Sequence, residues 1–456
     1  MVVFSGIEFL FRFLPVFLAI YYITPTKYRN TTLLLGSVVF YAVGEPYFVF
    51  LLLISVWMNY IFAKKICYYE TEHKWQRKKR KRWIITALLY DAGLLAVFKG
   101  LGAFFGNEIL PLGLSFYTFK MISFQVDIYR KQIKDVPTFK KVAVYFTMFP
   151  QIVSGPIMRY NEGEFSLGER TYSWEKFEEG IQFFILGLGT KVLLADKLAL
   201  LWKDITTIGY ESISTPLAWL GAGTFSMQLY FDFWGYSLMA AGLCVMLGFP
   251  FITNFNHPYA SRSISEFWRR WHMTLGSWFK DYIYIPLGGS RVKKGKIIRN
   301  LLIVWLVTGI WHGVSINFFL WSMILFLLIA LEKLGLGKVF EKCPIVGRCY
   351  ILLIIPVTWI FFAITDLNQL AVYLGRMFPF IGGTGIAVNA HDIIKYLEMY
   401  KIYLIAGIVW CIPAVYRFVV KNRKNPIMVL MMIVVFWLCI YSTVVMGNNP
   451  FAYLKF

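Results

Sequence analysis

The sequence predicts an all-α, polytopic membrane protein. Mean hydropathy is +0.59 over 456 residues, and 58% of them are hydrophobic. A soluble domain cannot bury that much apolar surface. The apolar residues fall in long, mostly uncharged runs, and a barrel would show short alternating strands instead, so helices are expected to span the bilayer. The net charge of +21 comes from 46 Lys and Arg against 25 Asp and Glu, and the basic residues gather between the runs. In a soluble chain that balance would suggest nucleic acid. Here it orients the protein and attracts anionic head groups, so membrane lipid is the expected partner and nucleic acid is not.

Gly6 to Ile23 is the first span; it lacks the basic n-region and small-residue cleavage site of a signal peptide. Thr32 to Val43 and Tyr47 to Phe62 are short runs broken at Gly44-Glu45-Pro46, which reads as a hairpin turn. Seven Lys or Arg lie between Lys74 and Arg82. They are the strongest orientation signal in the chain and put this loop in the cytoplasm, with the amino terminus outside. Trp83 to Phe98 and Ile109 to Ile128 are further spans. Val142 to Met158 is apolar but interrupted by Pro150, Gly155 and Pro156, so a re-entrant or in-plane segment is expected. A hydrophilic stretch, Asn161 to Glu179, precedes long runs at Gly180 to Trp202 and Leu217 to Phe249. Leu301 to Leu331 reads as a hairpin. Tyr350 to Ile364, Leu367 to Phe380, Ile402 to Val420 and Met428 to Val445 complete the set, with a glycine-rich loop at Gly382-Gly383 and a basic loop at Lys421 to Lys424. The total is about eleven spans plus one or two re-entrant pieces, in a single domain over residues 1–456. The six cysteines are scattered without a CxxC pair. They read as small core side chains, neither a metal site nor a disulfide framework.

Ionisable and aromatic side chains concentrate between Asn254 and Met323, around His272 and His312. Ser263 to Asp281 is expected to form one helix, opened by a Ser263/Glu266 capping box and carrying a Glu266–Arg270 pair. Trp268, Trp271, Leu275, Trp278 and Phe279 fall on one stripe of it, and Arg270, Thr274, Ser277 and Asp281 on the opposite one. Such a helix lies at the membrane interface or lines the mouth of a funnel. His272 sits at the edge of the aromatic stripe. It is either a core histidine with one hydrogen-bonded partner or part of a site. Beyond it, Gly288-Gly289 permits φ > 0 and close backbone approach. Arg291 then either receives a phosphate of a nucleotide-like donor or ends a turn as a positive-inside arginine.

His312 is the only ionisable side chain between Leu301 and Leu331. Thr308, one turn earlier, can fix one of its ring nitrogens. It serves either as an interhelical hydrogen-bonding group or as a general base, because a neutral imidazole with a pKa of about 6.5 can take a proton from a hydroxyl. His73, His257 and His391 lie in a basic loop, before a proline and in a polar loop, and have weaker cases. HExxH, GxSxG, P-loop and Rossmann fingerprints are absent, so neither a metal nor a bound cofactor is expected.

These residues carry a resemblance. FSGIEFLFRFLP and FYAVGEP near the amino terminus, GLSFYTFKMISFQVDIYR, FPQIVSGPIMRY and YFDFWGYSLMAAG in the middle, NFNHPYASRSISEFWRRWHMTLGSWFKDYIYIPLGGSR and GIWHG in the core, and NPFAYLKF at the tail make the chain similar to membrane-bound O-acyltransferases of the bacterial alginate O-acetylation type. The resemblance implies a ring-like bundle of helices around a central tunnel in the bacterial cytoplasmic membrane. A cytosolic acyl thioester would enter from one side and an acceptor hydroxyl from the other; the YIPLGGSR block favours acetyl, hence acetyl-CoA as donor. His312 matches the family's catalytic histidine and His272 its supporting one. Trp311, Trp305, Trp271, Arg270, Asn256, Tyr284 and Arg291 are the expected substrate-binding residues. The acyl group would pass to an exported polysaccharide or cell-wall polymer, directly or through an extracytoplasmic SGNH-type partner. Lys120 stands where the family usually has glutamine. Trp234 and Leu238 stand where it usually has a serine and an acidic residue, which resembles the D-alanyl-transferring branch and makes D-alanylation of teichoic acid the alternative. A lipid or sugar flippase would explain the spans but not the two histidines.

Overall fold

The computed structural model describes residues 3–70, 74–105, 109–168, 170, 173–380, 388–389 and 391–447. His73, the Gly382-Gly383 loop and the tail NPFAYLKF lie outside the described residues. Among those described, helices, turns and loops account for the whole chain and there is no strand. The chain divides into two compact units, one of Met1–Ile185, Tyr236–Thr253 and Met446–Phe456, the other of Leu186–Gly235 and Asn254–Val445.

The first unit holds α1 (Leu14–Ile23), α2 (Arg29–Gly44), α3 (Phe48–Tyr68), α4 (Lys74–Phe105), α5 (Leu114–Tyr129), α6 (Phe139–Thr147), α7 (Phe149–Ile152) and α8 (Tyr160–Leu167). The turn expected at Gly44-Glu45-Pro46 separates α2 from α3. Val142 to Met158 is broken as expected, into the end of α6, the single turn α7 and an irregular segment. Polar side chains tie α3, α4 and α5 together. Asn59 donates to Asp91 Oδ1 at 2.8 Å, and Gln125 Nε2 donates to Asn59 Oδ1 at 2.8 Å. Away from water such groups must satisfy one another. Lys120, buried in α5, donates to Tyr145 O at 2.7 Å and to Gln151 Oε1 at 2.8 Å. Tyr145 lies in the last turn of α6, whose carbonyls lack helical partners, so the lysine caps that helix.

α9 (Trp174–Gly189) runs from the first unit into the second, which continues with α10 (Asp196–Ile208) and the first part of α11 (Thr215–Met246). It then holds α12 (Ile264–Arg270), α13 (Met273–Phe279), α14 (Lys294–His312), α15 (Ile316–Leu331), α16 (Gly337–Lys342), α17 (Pro344–Ala363), α18 (Leu367–Met377), α19 (Asp392–Cys411), α20 (Pro413–Lys421) and α21 (Pro426–Met446). α14 and α15 form the expected hairpin, joined by Gly313 to Ser315. Gly309 lets them touch: a Cβ there would lie 2.4 Å from Ser322 Oγ and 3.2 Å from Phe318 O. Leu430, Val434, Trp437 and Tyr441 of α21 are exposed, as a lipid-facing surface requires.

Among the described residues six helices are long and apolar enough to cross a membrane, or seven if α19 and α20, bent by 77° at Ile412, cross as one. The expected count of about eleven exceeds the six or seven helices that meet this standard among the described residues. Hydropathy counts apolar runs, and several runs here are cut. Ile109 to Ile128 yields only the 16 residues of α5, beginning after Pro111 and Gly113, and Leu367 to Phe380 yields the 11 residues of α18. The cysteines also depart from expectation: Cys244 and Cys439 are buried, but Cys343 and Cys349 are exposed.

Candidate active site

Ser263 Oγ accepts from Glu266 N at 3.1 Å and starts α12, as the capping box predicts. Glu266 Oε1 takes Arg270 Nη2 at 2.7 Å, as the i,i+4 spacing predicts. The helix then stops. Trp271 is extended (ψ 128°), His272 is left-handed (φ 44°), and α13 restarts at Met273 before a π-helical turn, Lys280–Tyr284. The single helix expected over Ser263 to Asp281 is thus broken at His272. A left-handed non-glycine residue costs about 1–3 kcal/mol and persists only where its surroundings impose it.

Asn254 imposes it. Its main-chain oxygen accepts Met273 N at 2.8 Å, and its Oδ1 accepts Thr274 N at 3.2 Å and Thr274 Oγ1 at 2.9 Å. The first amides of α13, which have no helical partner, are satisfied from this one residue. Asn256 N donates to Arg270 O at 2.9 Å, pairing the other side of the break. His272 is buried, with Nδ1 3.0 Å from Asn254 Oδ1 and its ring edge-on to Phe233 at 4.7 Å. Burial pushes its pKa from 6.5 down to about 3, so the imidazole is neutral. His257, also left-handed (φ 47°), is pushed down to about 4 by burial and then by Arg417 and Arg270.

His312 is the last residue of α14, at the tip of the hairpin and 6% exposed. Its ring meets Trp311 at 4.4 Å, Trp321 at 5.0 Å and Phe362 at 5.2 Å. Thr308 gives its hydroxyl hydrogen to Val304 O at 2.8 Å, inside its own helix.

The two histidines share one aromatic assembly. From His272 it runs through Phe233 to Phe255 (5.1 Å), Trp271 (5.2 Å), Trp359 (5.1 Å) and Trp321 (5.8 Å), which meets His312. Trp305 joins it through Trp268 at 5.2 Å. Trp271, Trp305 and Trp311 are therefore brought together with the histidines. Arg270 and Asn256 also meet, but Arg270 is engaged with Glu266 and with Asn256 O at 3.2 Å. Tyr284 pairs with Ser290 Oγ at 3.0 Å, next to Gly288 and Gly289 with φ of 107° and 57°. Arg291 is exposed and precedes α14, whose start lies about 27 Å from His312 at 1.5 Å per residue. Tyr284 and Arg291 thus belong to the opposite end of α14.

Two residues that sequence reasoning did not single out complete the local architecture. Asn254 is one. The other is Glu332, 7% exposed, whose carboxylate accepts Ile264 N at 2.6 Å and Ser265 N at 2.9 Å and so holds the start of α12. A lone acid at the end of an apolar run gives no hint of this in the sequence.

Buried histidines set among aromatic rings in a multi-pass helical membrane protein narrow the classes that fit. Comparison with known proteins makes the class specific. Residues 26–374 match the membrane-bound O-acyltransferase family, and the chain belongs to that family. It is an O-acyltransferase. Its relatives include the probable alginate O-acetylase AlgI of Pseudomonas syringae pv. tomato, 35% identical over 83% of this chain and 75% of the relative. A peptidoglycan O-acetyltransferase of Helicobacter pylori is 33% identical over 69% of this chain and 67% of its own length. A teichoic acid D-alanyltransferase of Bacillus subtilis is 28% identical over 48% of this chain and 57% of its own length.

Proposed function

We propose that the protein moves an acetyl group from a cytosolic thioester, acetyl-CoA, across the membrane to a hydroxyl of an exported polysaccharide or cell-wall polymer, directly or through an extracytoplasmic SGNH-type acyltransferase. Helices arranged around a tunnel would bring donor and acceptor to His312 from opposite sides. The observation that carries this reading is His312 itself, buried among aromatic rings at the tip of its hairpin and the one ionisable side chain between Leu301 and Leu331; its resemblance to the family's catalytic histidine supports the same role. Its imidazole takes the proton of the attacking hydroxyl as the oxygen bonds to the acyl carbon. The carbon–sulfur bond breaks, and the thiolate leaves and takes up the proton. His272 supports the reaction. Trp271, Trp305 and Trp311 provide the flat apolar walls, and Arg291 meets the phosphates of the donor at the other end of α14.

The acetyl reading draws support from the acetyltransferase relatives, which align over far more of the chain than the D-alanyltransferases. Trp234 and Leu238 favour the second reading, D-alanyl transfer to teichoic acid from a carrier-protein thioester. The test is transfer of radiolabelled acetyl from acetyl-CoA by the purified protein in proteoliposomes, with a D-alanyl carrier thioester as competing donor. Transfer from the D-alanyl donor alone would replace acetyl by D-alanyl. Transfer from neither, with the acceptor polymer and partner supplied, would reject the proposal.

A further inference from the structure

Asn254 decides which nitrogen of His272 carries the proton. The residue is 3% exposed, in the segment leading from α11 to α12. Its carboxamide faces Thr274 N at 3.2 Å. A backbone N–H only donates, so the atom facing it is the oxygen. That same oxygen lies 3.0 Å from His272 Nδ1. An amide oxygen has no hydrogen to give, so the bond exists only if Nδ1 holds the hydrogen. A neutral imidazole carries one N–H, and burial keeps this ring neutral. Nε2 is therefore left with its lone pair.

The main chain reinforces the arrangement. Asn254 O binds Met273 N at 2.8 Å, and the left-handed turn at His272 brings the imidazole and the first two amides of α13 onto the same residue. Loss of the carboxamide would remove the acceptor of Thr274 N as well as that of the ring Nδ1, so the strained turn and the imidazole are held by the same group.

We propose that Asn254 is a positioning residue that locks His272 as the Nδ1–H tautomer and makes Nε2 a hydrogen-bond acceptor toward substrate. The substrate half of this rests on the reading of His272 as the supporting histidine. Its chemical consequence is specific. An accepting nitrogen orients a donor group, either the hydroxyl of the acyl acceptor or an amide N–H of the thioester donor. A neutral ring in this form gives no hydrogen bond to the oxyanion that develops at the acyl carbon, so other groups must stabilise that charge.

The test is a two-bond proton–nitrogen correlation spectrum of protein labelled with nitrogen-15 histidine, in lipid nanodiscs near pH 7. The chain has five histidines, and the His272 signals are those missing from His272→Gln. The expected pattern is a protonated, pyrrole-type Nδ1 and an unprotonated, pyridine-type Nε2. A protonated Nε2 with a bare Nδ1 in the wild type overturns the proposal, whatever the activity. In Asn254→Ala the pattern should shift toward the other tautomer. Turnover should fall about tenfold or more, the usual scale for losing the partner that orients a functional histidine, with KM changed little. Asn254→Asp keeps the acceptor but adds charge, so it should retain Nδ1–H and move the acidic limb of the pH–rate profile upward. Unchanged tautomer and turnover in Asn254→Ala would remove the positioning role. The spectrum is recorded without substrate, so failure of the acetyl-transfer reading leaves the tautomer result standing. If Asn254→Ala does not fold, the wild-type spectrum still decides the assignment.

Discussion

Replacing His272 by glutamine should make the protein less sensitive to acid. The unfolded chain binds a proton at His272 with a pKa of 6.5, whereas burial holds the folded-state value at about 3. Below pH 6.5 the unfolded state therefore binds more protons, and stability falls as pH falls, over the window from 6.5 down to about 3. Above 6.5 neither state is charged and the effect vanishes. Each pH unit in the window is worth about 1.4 kcal/mol, so going from pH 7.5 to pH 5 should cost the wild type about 2 kcal/mol through this residue alone. His257, pushed down to about 4, titrates in the same window, and so do unfolded-state carboxylates further down. The total slope is for that reason not diagnostic, and the difference between two proteins is. Glutamine keeps an N–H for Asn254 Oδ1 and does not titrate. Reversible unfolding in mixed micelles at pH 7.5 and pH 5 should show His272→Gln losing about 2 kcal/mol less than the wild type. Equal losses would mean that His272 is solvated or charged in the folded protein, and the neutral, Asn254-bound ring would have to be abandoned.

Three further perturbations probe the same region. His312→Gln and His312→Ala should each lower acyl transfer by about 10²–10⁴-fold, the range for general acid–base assistance, with donor binding little changed; turnover of His312→Gln above about a tenth of wild type, far short of that loss, would move the chemistry elsewhere. Glu332→Ala should cost about 1–3 kcal/mol in the unfolding assay, because it strips a charged acceptor from the amides of Ile264 and Ser265, and Glu332→Gln should recover part of the loss; a neutral Glu332→Ala would show that water caps α12 instead. Gly309→Ala places a Cβ 2.4 Å from Ser322 Oγ and close to the backbone of α15, so it should cost about 1–3 kcal/mol and lower turnover by displacing the tip that carries His312; wild-type stability and rate together would mean that the hairpin is not held at that contact.

The fold class was readable because long apolar runs admit few solutions in a bilayer, and His312 drew notice because an ionisable group stands out in such a run, whereas His272 was marked by the family resemblance. What escaped was what partners distant in the sequence decide. Nothing in Trp268 to Trp278 forbids a continuous helix. The break at His272 comes from Asn254, 18 residues upstream, which offers the amides of Met273 and Thr274 better acceptors than the preceding turn would. Tertiary context here overrides helix propensity. The Glu266 partner of Arg270 was legible from the i,i+4 spacing, but its second acceptor, the main-chain oxygen of Asn256 14 residues upstream, was not. Asn254 and Glu332 were invisible for the converse reason. Their acceptors serve backbone N–H groups, and a polar residue with that duty looks like any loop residue or any charge at the end of a span. Interrupted helices bring functional groups into a membrane protein's interior at the cost of unpaired peptide groups, and those must be satisfied within the protein. A site of this construction therefore needs two sets of residues. One set faces the substrate and announces itself by composition. The other holds the broken backbone, and only the fold reveals which polar residues belong to it.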